Sequence, residues 1–305
     1  MSFVTIVHRR YFFEVFKLLA IFIGLIPALI WGITPTILFY VKGKATEQLL
    51  GTTMGTLIVA ILVFMCFRPS ISPHVMLFSL LSGIFWSVGQ YGQYWAYQRI
   101  GISKTFPIST GLQIIGNTLI GGLLLGEWHT GNQLKYGFLG ILLIIFGLTV
   151  GNLVQRNKMA EKQTAHKKDY LILVLTTIGY WGYSAFPKLA SKGSPVEILL
   201  FQAIGMVLMA CLLVKGLDKS RNVNWLRIRS NTGVGMLFGV AAGTYLVSMS
   251  MNGLVNAFLL SQMNMIIATL LGIFWLKEHT AVGNLRTFMG LGLILGGSVV
   301  VIMLA

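Results

Sequence analysis

Ten stretches of spanning length, each dominated by apolar residues and free of charge at its centre, recur along the chain at 18–40, 48–67, 74–98, 105–126, 134–154, 170–190, 195–215, 232–252, 254–276 and 282–304. A bilayer core about 30 Å thick takes roughly 20 helical residues. In lipid the backbone must satisfy its own polar groups, which a helix does within one segment. The chain therefore reads as an all-α polytopic membrane protein with ten transmembrane helices. Only 10% of its 305 residues are charged, where a soluble domain carries about 25%. The connections leave no room for a separate catalytic domain.

Residues 1–17 form an N-terminal extension with His8, Arg9 and Arg10 ahead of the first span. That span is too long for the apolar core of a signal peptide and has no Ala-x-Ala cleavage site, so it is expected to be retained. The two cysteines, Cys66 and Cys211, lie inside apolar runs and read as small hydrophobes. No metal-ligand spacing occurs, and no metal or cofactor is expected. The net charge of +15 comes from basic residues scattered between apolar runs. They build no face for nucleic acid and act instead on topology. With the termini outside, 16 Lys and Arg fall on the cytoplasmic side and 7 on the other, as the positive-inside rule favours. Arg9 and Arg10 count the other way.

Sliding one half by 150 positions superposes Trp31-Gly32 on Trp181-Gly182, and Glu47, Leu49, Leu50 and Gly55 on Glu197, Leu199, Leu200 and Gly205. With offsets of one or two residues, Gly101-Ile102 meets Gly253-Leu254 and Gln113 meets Gln262. In the same way Glu127 with His129-Thr130 meets Glu278 with His279-Thr280. The expected organisation is a first five-helix repeat at 18–154, a polar linker at 155–169 and a second repeat at 170–305. Five crossings are an odd number, so the second copy enters from the opposite side. Inverted repeats of this kind place a substrate site near the midplane of secondary transporters.

No carboxylate, lysine or arginine falls at the centre of a span. A carrier of anionic esters would want a buried cation there, and an exporter of cationic drugs a carboxylate. The spans hold uncharged polar groups and aromatics instead. Trp86, Gln90, Gln93 and Tyr97 follow at helical spacing on one face, and Trp31, Gln113, Asn117, Trp181, Gln202 and Gln262 complete the candidate binding set. Tyr180, Tyr183, Tyr245 and Asn264 stand among the other interior polar residues. Amides offer donors and acceptors to hydroxyls, and indole or phenol rings cover the C–H face of a sugar. The same groups also serve as hydrogen-bonding pegs between helices or as interfacial anchors, and the small-xxx-small glycine ridges read as packing seams. Pro35 and Pro187 follow the two Trp-Gly pairs and mark helix breaks. The available proton carriers are the span-end groups Glu127, Glu278, Glu47, Glu197, His129 and His279, whose other role is solvated end-capping.

The segments PALIWGITPT, GTTMGTLI, LLSGIFWSVGQYGQ, ISKTFPISTGLQIIGNTLIGGLLLGEW, GYWGYSAFPK, FQAIGMVLMA and LLSQMNMIIATLLGIFWLKE together resemble the glucose/ribose porter family of the drug/metabolite transporter superfamily. GYWGYSAFP is closer to its ribose uptake members than to its glucose uptake members. The likeness runs from about residue 18 to 304, and the 17-residue start departs from it. It implies ten helices, import of a monosaccharide across the bacterial plasma membrane, and protons as the coupling partner. Export of a drug or metabolite is the alternative on the same plan. A membrane enzyme or sensor would need a nucleophile, metal cluster or soluble domain.

Overall fold

The computed structural model describes residues 3–152, 166–190, 193–217, 223–276 and 281–304, and every regular element among them is helical. In chain order these are α1 (Phe3–Val41), α2 (Ala45–Phe67), α3 (Pro73–Arg99), α4 (Ile102–Leu119), α5 (Gly131–Asn152), α6 (Lys167–Leu189), α7 (Pro195–Leu217), α8 (Trp225–Ser261), α9 (Asn264–Leu270) and α10 (Ala281–Leu304). Most of the 155–169 linker lies outside the described residues, as do Glu278 and His279.

Six described stretches are long and apolar enough to cross a membrane: Leu18–Val41, Ala45–Phe67, Pro73–Arg99, Gly131–Val150, Pro195–Leu217 and Trp225–Trp275. The last has 51 residues. As one straight helix it would reach about 76 Å, more than twice the thickness of the bilayer core. It breaks instead at Gly253, whose φ of 79° and ψ of 172° are non-helical and suit a residue without Cβ. A second break at Gln262 and Met263 precedes α9. Gly101, with φ 93°, stands in the same way before α4. Both α4 and α9 then widen into π turns, at Ile120–Leu124 and Leu271–Trp275.

Several helices start earlier than their apolar pattern, and at two of them a side-chain cap is the reason. α8 begins at Trp225 rather than near residue 232, because the Asn224 side chain accepts the Arg227 N–H at 3.2 Å and caps a polar first turn. α5 begins at Gly131, three residues before its apolar run. There Gln133 Oε1 accepts from the His129 and Thr130 amides at 2.7 and 3.0 Å.

Packing is crossed between the chain's halves. α1 lies on α8 and α9, while α6 lies on α3 and α4. α2 meets α7 and α8, α3 meets α7, and α5 pairs with α10. Glycine ridges make the closest contacts: a methyl on Gly55 would land on the Thr232 carbonyl oxygen, and one on Gly235 on that of Thr52. The Gly292/Gly296 pair, by contrast, has open space beside it. The outer surface carries Phe22, Phe67, Leu142 and Leu212, while Thr52, Thr56, Ser82 and Gln202 are wholly buried. Such an apolar exterior around a polar core suits lipid and not water.

Acidic groups tie helix starts together. Glu47 accepts from the amides of Lys44 and Asn224, both at 2.9 Å, joining the start of α2 to that of α8. Glu197 accepts from Ser72 N–H at 2.6 Å, joining α7 to α3. Asp169, at the start of α6, accepts from His166 N–H (3.0 Å) and the Trp95 indole (3.2 Å), with Arg99 Nε at 3.8 Å. The Arg99 guanidinium also covers the Trp95 ring at 3.9 Å. Burial alone would raise the Asp169 pKa. The His166 and Trp95 hydrogen bonds and the Arg99 charge outweigh it and hold the carboxyl below its usual value.

Candidate functional site

A cavity of about 610 Å³, mouth included, lies between α1, α3, α4, α6, α8 and α9. Every residue lining it is uncharged. Of the residues expected from the sequence it brings together Trp31, Trp86, Gln90, Gln93, Tyr97, Gln113 and Gln262. The wall also includes Tyr94, Tyr180, Tyr183, Phe238, Tyr245 and Asn264.

One wall is an amide–phenol cluster. The Tyr180 hydroxyl lies 2.7 Å from Gln93 Oε1 and 2.9 Å from Gln90 Oε1, and Gln90 Nε2 donates to Gln93 Oε1 at 3.1 Å. Both amide oxygens are thus engaged, while Gln93 Nε2 remains a donor. The cluster forms because α3 and α6 touch: a methyl on Gly89 would press on the Tyr180 ring at 2.9 Å. On another wall Trp31 stacks on Phe238 (5.5 Å, 24°), which also meets Trp86 at 4.6 Å. Tyr183 stacks on Tyr245 at 6.1 Å. These rings present apolar faces beside the amides.

Gln113 and Gln262 reach the cavity with Nε2 bonded to a neighbouring serine, Ser109 (3.0 Å) and Ser261 (3.1 Å) respectively. Four buried polar atoms on the described lining residues have no hydrogen-bond partner: Trp31 Nε1, Tyr183 Oη, Tyr245 Oη and Asn264 Oδ1. Each such group costs about 1–3 kcal/mol while unpaired.

Trp181, Asn117 and Gln202 are not on the wall. The Trp181 indole donates to the Leu112 carbonyl at 3.0 Å, Asn117 Nδ2 to Ser184 Oγ at 3.3 Å and Gln202 Nε2 to Ser82 Oγ at 2.6 Å. Tyr180 and Tyr183, flanking Trp181, take the lining positions. Their spacing of three was the available signal, since it puts them about 60° apart on one helical face, with Trp181 roughly 100° from Tyr180 and roughly 160° from Tyr183.

Two further pockets sit at opposite ends of this region. One, of about 740 Å³, is bordered by Lys42, Gly43, Gln48, Gln98 and Ile102 and shares Pro35, Leu38 and Tyr97 with the central cavity. The other, of about 630 Å³, is bordered by Glu127, His129, Lys188, Asn252 and Gly253 and shares none of its lining. There Glu127 accepts from Leu254 N–H (2.8 Å) and Val255 N–H (3.0 Å), with Lys188 Nζ at 3.5 Å. His129 is exposed beside it. None of Glu47, Glu197, Glu127 and His129 lines the central cavity. Among the described residues no group of three His, Cys, Asp or Glu is placed to hold a metal ion.

An apolar-surfaced helical bundle around an uncharged polar cavity defines a multi-pass membrane protein. Comparison with known proteins gives its family. Residues 22–304 match the model described as "Sugar transport protein", and the chain belongs to that family. A Lactobacillus helveticus protein named "Putative sugar uptake protein" is 39% identical over 92% of this chain and 99% of its own. A Latilactobacillus sakei protein named "Putative ribose uptake protein RbsU" is 38% identical over 92% and 97%. A crystal structure aligns with a TM-score of 0.68 at 16% identity, covering 94% of this chain and 99% of that one, a likeness of fold. The chain is accordingly a multi-pass bacterial membrane protein of the sugar transport family.

Proposed function

We propose that the protein is a secondary carrier, not an enzyme, that imports a monosaccharide into bacteria by proton symport, with ribose ahead of glucose. The observation that carries this reading is the uncharged amide–aromatic cavity in a member of the sugar transport family. A neutral polyol pairs with amides and stacks on rings, whereas an ionic solute would need a buried countercharge. The relative named for ribose uptake supports ribose as the first sugar to try.

The transport unit in this reading is two inverted five-helix halves, 18–154 and 170–305, crossing the membrane ten times with the termini outside. The twice-used devices support it: Gly101 and Gly253 with positive φ, the π turns ending α4 and α9, and Glu47 and Glu197 each tying one helix start to another. In that orientation the Lys42 end is cytoplasmic. The cavity then adjoins the cytoplasmic pocket and is separated from the outer one at Glu127, which makes this the inward-facing state of alternating access. Coupling falls to Glu127, Glu278, Glu47, Glu197, His129 or His279. Glu127 is favoured, because its carboxylate holds the helix arm that follows Gly253, and this arm carries Phe258 into the cavity wall.

Uptake of labelled ribose and glucose by cells lacking other carriers tests the reading. Accumulation of ribose above background, abolished by an uncoupler, is expected. Failure of both sugars to accumulate refutes sugar import, and accumulation indifferent to the uncoupler refutes the proton alone.

A further inference from the structure

The repeat-related tryptophans do not share a fate. Trp181 N–H ends on the Leu112 carbonyl, and its ring packs against Gly116. Trp31 lines the cavity with its ring fixed by Phe238 and Tyr245, and its N–H has no partner. On the neighbouring element, Asn264 lines the same cavity and its Oδ1 is also unpartnered. The two elements are in contact at Gly32, where a methyl would lie 3.0 Å from the Asn264 backbone oxygen and 2.6 Å from Ile267 Cβ. A donor and an acceptor are therefore carried by backbones that cannot separate without breaking that contact.

The chemistry of this pair selects its ligand. An indole N–H only donates and an amide oxygen only accepts. A phosphate or carboxylate would serve Trp31 and leave Asn264 Oδ1 unpaired, and an ammonium would do the reverse. Two neighbouring hydroxyls serve both, one accepting from the indole and the other donating to the amide oxygen. Elsewhere on the wall the Gln90 and Gln93 oxygens are already engaged, by the Tyr180 hydroxyl and by Gln90 Nε2 respectively. We propose that Trp31 and Asn264 read adjacent hydroxyls of the transported sugar, so that a vicinal diol is the feature the carrier selects. The proposal rests on the sugar-carrier reading above.

The test is competition of 2-deoxyribose and 3-deoxyribose against labelled ribose uptake, in the wild type and in the variants Trp31→Phe, Asn264→Leu and Trp181→Phe, each normalised to protein in the membrane. At least one deoxy sugar is expected to compete roughly 10-fold more weakly than ribose in the wild type. That gap should shrink in Trp31→Phe and Asn264→Leu and persist in Trp181→Phe. Equal competition by both deoxy sugars in the wild type overturns the proposal whether or not any variant reaches the membrane. A gap unchanged in Trp31→Phe and Asn264→Leu overturns it as well. Absence of ribose and glucose uptake in the wild type is a different result, which removes the sugar-carrier reading and the pair's role with it.

Discussion

Replacing Gln93 by leucine separates binding from packing at the cavity wall. Leucine roughly conserves volume, so no large cavity opens. Two contacts are lost, from the Tyr180 hydroxyl at 2.7 Å and from Gln90 Nε2 at 3.1 Å. Tyr180 is not stranded, because Gln90 Oε1 stays 2.9 Å away and takes its proton. The net loss of folding stability should be near one ordinary hydrogen bond, about 1 kcal/mol. Transport loses more. The amide donor is gone, and a sugar hydroxyl closed in without a partner costs about 1–3 kcal/mol, which is roughly 5- to 150-fold in apparent affinity. KM for labelled ribose, measured with the purified protein in vesicles, should rise within that range while the thermal midpoint drops by only a few degrees. An unchanged KM accompanied by a lowered midpoint would refute the argument and make the Gln90–Gln93–Tyr180 cluster a packing device.

Tyr180→Phe should also raise KM, since it frees the Gln90 carbonyl and lets the amides turn; a KM equal to the wild type would show that the phenol does not orient them. Glu127→Gln keeps an acceptor for one of the two amides at the start of the arm after Gly253 but removes the charge facing Lys188, so uptake should lose its sensitivity to an uncoupler, and retained sensitivity would move coupling to another group. Gly235→Leu places a side chain on the Thr52 backbone and should cost about 1–3 kcal/mol or more, read as loss of folded protein in a detergent melting assay. Asp169, held below its ordinary pKa, contributes stability that is present above about pH 4 and is lost as pH falls through its native value; Asp169→Asn should therefore lower the midpoint at neutral pH and flatten its acid dependence.

The readable parts of the sequence were those with a period. Apolar runs of spanning length mark the helices, and the spacing 86, 90, 93, 97 marks a face of α3 that the cavity uses throughout. Helix starts were less legible, because polar first turns such as that of α8 are set by a local cap and carry no hydrophobic signal. The repeat misdirected attention at one point. It makes Trp31 and Trp181 equivalent, yet hydrogen bonding separates them: one indole is engaged by a carbonyl of α4 and the other is buried without a hydrogen-bond partner. Near-identity of sequence position fixes where a side chain begins but not which neighbour its polar end meets. Tyr180, Tyr183 and Asn264 were visible as interior polar residues, but only the packing of α6 and α9 against their neighbours distinguishes a lining group from a peg such as Gln202.

Every carboxylate whose side chain is described, on Glu47, Glu127, Asp169 and Glu197, accepts a backbone N–H at the start of a helix. Helix starts have unsatisfied amides and a positive dipole end, so a carboxylate there is stabilised by the backbone, with Arg99 adding to it at Asp169 and Lys188 at Glu127. This leaves the central cavity without charge while keeping acids within the fold. A proton taken up at such a carboxylate weakens its grip on amides and has no direct effect on a neutral sugar. The proton coupling proposed above is on this ground mechanical, through the helix whose start is released. Three of the four acids hold the first turn of a helix, whereas Glu127 holds an arm that begins in mid-chain at the Gly253 break and carries Phe258 to the cavity wall. Among these four the clamp at Glu127 lies nearest along its helix to a cavity-lining residue, Phe258, about one turn beyond Leu254 and Val255, and for that reason the coupling role proposed for Glu127 requires no charged residue in the cavity.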